Sequence, residues 1–192
     1  MEKLGVTGIV LAGGRSSRMG TDKSLMLLHG KPIISHVIEA IKPLCDQVVI
    51  SSNKSVYDFT GCDVWPDLYP IQAPMIGIYS CLKRSTTDLN IVVSCDIPFV
   101  ETALFTNLLQ NMEGSDIIVP VHDNYVEPLC AIYKKKVVPA LQQFIDQQNY
   151  RLFEFVEHMP HRRLEINPST FSKRIFLNIN TMDDFDCASN NL

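Results

Sequence analysis

The order of apolar and polar positions along the chain predicts alternating strands and helices. Continuous apolar runs between polar stretches are typical of strands that are covered on both faces of a sheet. Such runs predict strands at 6–12, 47–51, 62–65, 90–95, 116–120, 127–133 and 175–179. Apolar residues at helical spacing predict helices after Pro32 and at 76–84, 101–112, 136–148 and 151–157. This alternation predicts an α/β fold with a doubly wound sheet, which holds its ligands at the carboxyl ends of the strands.

Length and composition are typical of one globular domain. The 192 residues are enough for one buried α/β core, and the sequence contains no internal repeat or linker, so we expect one domain over residues 1–192. Apolar residues make up 46% of the chain, yet no apolar run has the roughly 18 residues that a membrane span requires. The N-terminus lacks the small-residue cleavage site of a secretory signal, so no export is expected.

The cysteine pattern indicates the cellular compartment of the protein, and the net charge indicates which class of ligand it does not bind. The six cysteines are scattered and form no C-x-x-C pair, which favours reduced thiols and a cytoplasmic protein. The net charge of −4 argues against a nucleic-acid-binding domain, because such domains carry a basic excess on one face. Because the chain as a whole is acidic, any polyphosphate must be bound by basic residues that cluster at one place in the chain.

The stretch "LAGGRSSRMGTDKS", residues 11–24, follows the first predicted strand and combines glycines with basic residues. It is not a P-loop, because Gly14 and Gly20 are too far apart and Lys23 does not directly follow Gly20. It is not the dinucleotide fingerprint G-x-G-x-x-G either, because Gly13 and Gly14 are adjacent.

A longer loop of this kind can wrap a chain of phosphates with its backbone N–H groups. Arg15 and Arg18 offer planar forks for phosphate oxygens, and Lys23 offers a point charge. The alternative is a solvated basic turn between a strand and a helix. The combined pattern favours the phosphate-binding interpretation.

Several stretches of the chain resemble one family of nucleotidyltransferases. "LAGGRSSRMGTDKSLMLLHGKP" is similar to the signature L-A-G-G-x-x-x-R-M-G…D-K, with a following G-K-P, of enzymes that activate sugars, isoprenoid precursors and pterin cofactors. Within that group, "PMIG" at 74–77, "SCDIP" at 94–98 and "LNINT" at 177–181 look most like molybdenum cofactor guanylyltransferases. The resemblance extends over nearly the whole chain.

The resemblance implies a fold, a reaction and two substrates. The fold would be three-layered and Rossmann-like, with a mostly parallel sheet. The reaction would transfer GMP from GTP to the terminal phosphate of molybdenum-molybdopterin, with Mg²⁺ as cofactor and pyrophosphate as the leaving group. Cofactor-assembly proteins or apo-molybdoenzymes would be further partners, whereas neither nucleic acid nor a membrane is expected.

The resemblance also implies roles for individual residues in the nucleotide site. Catalytic roles are implied for Arg15, Lys23 and Asp96. Nucleotide contacts are implied for Leu11, Ala12, Gly13, Gly14, Arg18, Lys23, Asn53, Asp67 and Asp96. Without the family, Asn53 and Asp67 would be interpreted as turn residues, since both residue types favour turns.

One carboxylate stands at the end of the most apolar predicted strand. This residue, Asp96, lies two positions before Pro98, which cannot continue a central strand. A carboxylate there faces the ligand crevice, and Mg²⁺ takes one or two carboxylates together with substrate phosphates. The alternative is an N-cap of the following helix. Because Glu101 and Thr102 lie nearer the start of that helix, we favour Asp96 as the Mg²⁺ ligand.

Two asparagines near the C-terminus are candidates for the second substrate. Asn178 and Asn180 have period-two spacing, so on the predicted strand their side chains would project to one face. Amides can contact a polar heterocycle or a phosphate, and the family uses this motif near the pterin substrate. The alternative is a helix cap at Asn180 and Thr181, which leaves Asn178 unexplained. Many members of the family carry consecutive arginines after a glycine late in the chain. At that place this sequence has "QQNYRLFEF", with Arg151 as its one arginine, so the family's arginine contacts to the second substrate do not carry over directly.

Alternatives to guanylyl transfer stay open on the sequence. A molybdopterin cytidylyltransferase, or a sugar or isoprenoid nucleotidyltransferase, would have a similar glycine-rich signature, and the base is hard to infer from sequence. A non-catalytic nucleotide-binding adaptor is disfavoured, because a binder has no strong need for Lys23 together with a metal-binding Asp96.

Overall fold

Strands and helices alternate through the computed structural model, which describes residues 5–13 and 22–190. The strands are β1 (Val6–Leu11), β2 (Leu27–Leu28), β3 (Lys31–Pro32), β4 (Gln47–Ser51), β5 (Asp63–Trp65), β6 (Leu89–Ser94), β7 (Ile117–His122), β8 (Tyr125–Val126), β9 (Cys130–Lys134) and β10 (His161–Glu165). The α-helices are α1 (Ile33–Ile41), α2 (Pro74–Arg84), α3 (Thr102–Gln110), α4 (Val138–Asp146), α5 (Leu152–His158) and α6 (Met182–Asn190). The bounds of β1, β4 and β6 agree closely with the predicted strands.

The larger sheet is mixed, and its strand order reverses at β1. The order is β10-β7-β9-β6-β1-β4-β5, with β8 paired to β7. β1 pairs in parallel with β4 and β6, and β7 pairs in parallel with β10, whereas β9 is antiparallel to β6 and β7. Because β4 and β5 lie on one side of β1 and β6 on the other, a ligand crevice is expected at the carboxyl ends of β1 and β6.

Helices cover both faces of this sheet. Ile41 of α1 packs with Val10 of β1 in one core cluster, and Tyr79 of α2 packs with Ile9 of β1 in the other. Successive residues of β1 thus face opposite cores, as the pleat of a strand requires. Each of the buried aliphatic side chains among them stabilises the fold by about 1.5–3 kcal/mol relative to an exposed one. This three-layer arrangement confirms the predicted fold class. Among the described helices, none has both the length and the apolar character needed to cross a bilayer.

The strand predicted at 175–179 is wrong. Lys173–Phe176 forms a 3₁₀ turn, and the residues that follow it lie outside any strand. Ile175, Phe176 and Ile179 are nevertheless buried. The apolar pattern at this point therefore reflects packing against the core and not pairing in the sheet.

The apolar pattern also misses the edge strand β10. This strand, His161–Glu165, pairs in parallel with β7, and only His161 and Leu164 are partly buried. Edge strands often carry charged side chains and leave one side open to solvent. β10 therefore lacks the continuous apolar run by which the central strands are recognised.

Candidate active site

A cleft of about 390 Å³ opens at the carboxyl ends of β1, β4 and β6. Leu11, Ser51 and Ser94 line it at these strand ends, and the loop before α2 and the first turns of α2 complete the wall. Asp67 and Asp96, both predicted as site residues, line the same cleft. Its position matches the reversal of strand order, so the fold places the cleft where doubly wound sheets bind ligands.

Asp96 follows β6 and presents two carboxylate oxygens in different surroundings. Its Oδ2 accepts a hydrogen bond from Lys23 Nζ at 2.7 Å. Its Oδ1 is buried and accepts no hydrogen bond from the part of the chain that the structure describes. The residue at the N-cap of α3 is Glu101, so Asp96 does not cap that helix. A buried carboxylate oxygen without a donor is costly, which favours a ligand role over a structural one.

Lys23 brings distant parts of the chain together. It begins the 3₁₀ turn Lys23–Leu25, and its Nζ donates to Asp96 Oδ2 and, at 2.9 Å, to Asn180 Oδ1. The lysine and the asparagine are 157 positions apart in the sequence. The ammonium group therefore lies between the candidate metal ligand and the candidate second-substrate residue.

The segment 177–180 lies beside Asp96 although it is not a strand. The Ile179 amide donates to the Asp96 carbonyl at 2.8 Å, and Ile179 is buried between the exposed residues Asn178 and Asn180. Asn178 Nδ2 donates to the Phe176 carbonyl at 3.3 Å. Asn178 and Asn180 are thus both exposed, on either side of a buried residue, as their period-two spacing predicts. They do not lie on a strand, so the predicted pairing of this segment with the sheet is wrong.

The alternative interpretation of this segment, a helix cap at Asn180 and Thr181, is right for the Thr181 side chain and wrong for the Asn180 side chain. Asp184 Oδ2 accepts from the amides of Asn180 and Thr181 at 2.9 and 2.8 Å, and Thr181 Oγ1 accepts from the Asp184 amide at 3.1 Å. This is a reciprocal capping arrangement with an aspartate in the place of the usual glutamate. The Asn180 side chain does not take part in the cap and contacts Lys23 instead.

Asn53 forms two hydrogen bonds with Asp67, which lines the cleft. Asn53 Nδ2 donates to Asp67 Oδ2 at 3.0 Å, and the Asp67 amide donates to Asn53 Oδ1 at 2.8 Å. Burial raises the pKa of Asp67 above its ordinary value, while the hydrogen bond from Asn53 and the charge of Arg84 act in the opposite direction. The pair is more than two separate turn residues, because it links the loop after β4 to the loop after β5.

The loop after β1 is described only in part. Leu11 and Gly13 line the cleft. The Ala12 amide donates to the Ser51 carbonyl at 3.0 Å, and the Ala12 carbonyl accepts from Tyr57 Oη at 3.4 Å. The remaining predicted contacts of this loop, Gly14, Arg15 and Arg18, lie outside the described residues.

Arg151, the arginine that stands where many relatives have several, is an exposed residue that pairs with Glu154 at 2.6 Å.

Asp22 is a residue whose role the sequence analysis misses. Its Oδ1 accepts from the Ser24 hydroxyl at 2.7 Å, and its Oδ2 pairs with Lys54 Nζ at 2.6 Å. Burial by itself raises the pKa of Asp22, but the hydrogen bonds from Lys54 and Ser24 together lower it. Asp22 is therefore ionised at neutral pH and holds the turn that presents Lys23. An Asp directly before a turn is a capping signal that could have indicated this role.

Gly77 gives the motif "PMIG" a structural reason. A Cβ atom at this position would lie 2.7 Å from Ser51 Oγ and 3.3 Å from Leu11 Cδ2. α2 can therefore approach the ends of β1 and β4 this closely only because residue 77 has no side chain. The close approach forms one wall of the cleft.

Comparison with known proteins agrees with this geometry. A family model described as the MobA-like NTP transferase domain matches residues 8–163. The chain belongs to this family. The MobA-like chain is 34% identical to the probable molybdenum cofactor guanylyltransferase of Flavobacterium johnsoniae over 188 residues, which are 97% of this chain and 98% of that protein.

Two further relatives of this MobA-like transferase have similar coverage. The probable molybdenum cofactor guanylyltransferase of Bacillus subtilis is 32% identical over 186 residues, which are 93% of this chain and 92% of that protein. The crystal structure of molybdopterin-guanine dinucleotide biosynthesis protein A from Archaeoglobus fulgidus superposes with a TM-score of 0.82 at 27% identity, over 95% of this chain and 96% of that one. The family resemblance noted in the sequence is thereby confirmed.

Proposed function

We propose that this MobA-like transferase moves GMP from GTP to the terminal phosphate of molybdenum-molybdopterin and releases pyrophosphate. The names of its relatives support this reaction. The observation that carries the proposal is the position of Lys23 Nζ, within hydrogen-bond distance of both Asp96 and Asn180. A cation between a metal-binding carboxylate and an exposed amide suits a reaction that brings two polyanions together.

The outer phosphates of GTP are assigned to Lys23 together with Gly14, Arg15 and Arg18 of the glycine-rich loop. Lys23 is held by Asp96 in this structure, so it would move a short way to meet a phosphate oxygen. Leu11, Ala12 and Gly13 are assigned to the nucleoside side of the site. Positive charge near the β- and γ-phosphates stabilises the leaving pyrophosphate as its charge builds.

Asp67 is proposed to contact the guanine base, with Asn53 holding its carboxylate in place. Its Oδ2 is taken by Asn53, and its Oδ1 lies 3.7 Å from the point where a Cβ of Gly77 would be, at the cleft wall. An ionised carboxylate only accepts hydrogen bonds. Guanine offers neighbouring N1–H and N2–H donors on one edge, whereas adenine and cytosine present an acceptor nitrogen there. The pairing therefore favours GTP over ATP and CTP.

Asp96 is proposed to hold Mg²⁺. The fit rests on its Oδ1, which is buried and accepts no hydrogen bond from residues 5–13 or 22–190. Mg²⁺ prefers oxygen ligands and combines one or two carboxylates with substrate phosphates, which suits a single aspartate in a phosphate-binding cleft. When bound, the ion neutralises charge on the phosphate oxygens.

The chemistry requires no general base from the chain. The second pKa of a phosphate monoester is near 6, so the terminal phosphate of the acceptor is already an anion at neutral pH. One of its oxygens attacks the α-phosphorus of GTP, and the bond from that phosphorus to the bridging oxygen of pyrophosphate breaks. Asn178 and Asn180 are proposed to orient the acceptor. The chain's contribution is then positioning and charge neutralisation.

The test is pyrophosphate release by the purified protein with molybdenum-molybdopterin and Mg²⁺, in parallel with GTP, CTP and ATP. We expect release with GTP, and a product whose mass is that of the acceptor plus GMP. Release with CTP alone would make the protein a cytidylyltransferase. Tight GTP binding without release would make it a nucleotide-binding adaptor. Hexose 1-phosphate in place of molybdopterin tests a sugar nucleotidyltransferase, and no release is expected with it.

Location and further partners follow from this proposal. The structure has free thiols at Cys45, Cys62, Cys81, Cys95 and Cys130, which is typical of the reducing cytoplasm. Cofactor-assembly proteins and apo-molybdoenzymes that take up the product are proposed as partners.

A further inference from the structure

The loop that carries Asp67 is fastened to α2 on both sides of this residue. Arg84 Nη1 donates to the Pro66 carbonyl at 2.5 Å, and Ser80 Oγ accepts from the Leu68 amide at 2.9 Å. Residues 80 and 84 are one helical turn apart, so both contacts come from the same face of α2. The backbone before and after Asp67 is thus tied to one rigid element.

The same helix supplies the charge that faces Asp67. Burial raises the pKa of the Asp67 carboxyl, whereas the hydrogen bond from the uncharged Asn53 and, after it, the positive charge of Arg84 lower this pKa. Cys81 also faces Asp67 from α2, but burial raises the pKa of its thiol to about 12, so it carries no charge at neutral pH. Arg84 is therefore the described charged group that favours the ionised form of Asp67.

We infer that Arg84 is a positioning residue for base recognition: it holds the Pro66–Asp67 backbone and keeps the Asp67 carboxylate as an acceptor for guanine. This inference rests on the proposed function, specifically on the assignment of Asp67 to the base. Arg84 touches neither the phosphates nor the acceptor in this scheme. Its loss should therefore weaken discrimination between bases and leave phosphate binding intact.

The experiment compares Arg84→Met, which removes the charge and the donor, with Arg84→Lys, which keeps the charge. Lys83→Met is the matched control, because Lys83 is the neighbouring cation on α2 and its Nζ contacts Tyr79 Oη instead of the loop. Dissociation constants for GTP and ATP are measured by calorimetry between pH 5.5 and 8, on protein whose melting temperature confirms folding. Binding is chosen because it can be measured whether or not transfer occurs.

For Arg84→Met, we expect GTP to bind about 10-fold more weakly at neutral pH, as for loss of one charge-assisted hydrogen bond, with ATP unchanged. The loss should grow as the pH falls, because Asp67 without Arg84 takes up a proton at higher pH. Arg84→Lys should keep the wild-type pH profile, and Lys83→Met should match wild type throughout.

Equal losses for GTP and ATP, or a pH profile of Arg84→Met that matches wild type, would overturn the role of Arg84. Wild-type protein that binds GTP and ATP equally would instead overturn the assignment of Asp67 to guanine. Failure of guanylyl transfer is seen separately, in pyrophosphate release. The three failures are therefore distinguishable.

Discussion

Lys23 Nζ and Asp96 Oδ2 lie 2.7 Å apart, and the two side chains are only 18% and 15% exposed. Solvent screens such a pair less than it screens a surface ion pair, and removing one partner leaves an uncompensated charge. The two residues therefore do not act independently. A change at either one alters the electrostatics of the other before any substrate binds.

Asp96→Asn should leave the protein folded and able to bind GTP, though less tightly, while transfer nearly disappears. Asn has almost the volume of Asp but removes the anionic ligand proposed for Mg²⁺. Losses of about 10- to 100-fold follow even from changes behind the ligands of metal sites, so at least this loss is expected in pyrophosphate release. Asp63→Asn, at the start of β5, is the control and should retain activity. Transfer by Asp96→Asn within about threefold of wild type, less than 1 kcal/mol in barrier, would mean that Asp96 is not the metal ligand.

Lys23→Ala should weaken GTP far more than GMP, because the lysine is assigned to the outer phosphates. The loss of a charge-assisted contact predicts about 10- to 100-fold weaker GTP binding, measured by calorimetry. Lys31→Ala provides the comparison, since Lys31 forms an exposed pair with Glu39 away from the cleft. Equal losses for GTP and GMP would place Lys23 elsewhere in the nucleotide site.

GTP with Mg²⁺ should protect the fold against heat far better than ATP with Mg²⁺. A ligand that binds only the native state at 100 times its dissociation constant stabilises that state by about 2.7 kcal/mol. The readout is the melting temperature at matched nucleotide concentrations, with Mg²⁺ alone as the reference. Equal shifts for GTP and ATP would contradict guanine recognition.

Gly77→Ala should destabilise the fold and weaken GTP, because the new Cβ would lie 2.7 Å from Ser51 Oγ. Overpacking of this kind costs about 1–3 kcal/mol, which denaturant unfolding can measure. Ser51→Ala removes the clashing atom, so the double variant should recover most of the loss, and the shortfall from additivity measures the contact. Additive losses in the double variant would show that the clash is not the cause.

The central strands and the cleft at their ends could be predicted because the sequence of each strand by itself matches the structure that it forms. β4 contains the apolar run 48–50 and β6 the apolar run 91–93, and the polar or small residues that follow these runs mark the carboxyl edge where ligands bind. Asp96 and the start of the glycine-rich loop, Leu11 and Gly13, line one cleft, and the sequence alone could assign them to it.

Contacts between distant segments could not be predicted in this way. The hydrogen bond from Lys23 to Asn180 depends on how the chain's two ends pack, which no local pattern encodes. Ile175 and Ile179 are apolar because they are buried, and burial alone does not distinguish a strand from an irregular segment. Arg84 is an ordinary basic residue in the last turn of a helix, where the helix dipole would explain it equally well.

The segment 177–180 lies beyond the region that the family model matches, which ends at residue 163. Ile179 packs with Leu28 and Ile33 in a small apolar cluster, and its amide is bonded to the Asp96 carbonyl. Cutting the chain at the end of the matched region would therefore uncover this cluster and take Asn180 away from Lys23. Under the proposed assignment of Asn180 to the acceptor, the smallest piece of this chain that contains the whole proposed site is longer than residues 8–163, which the family model matches.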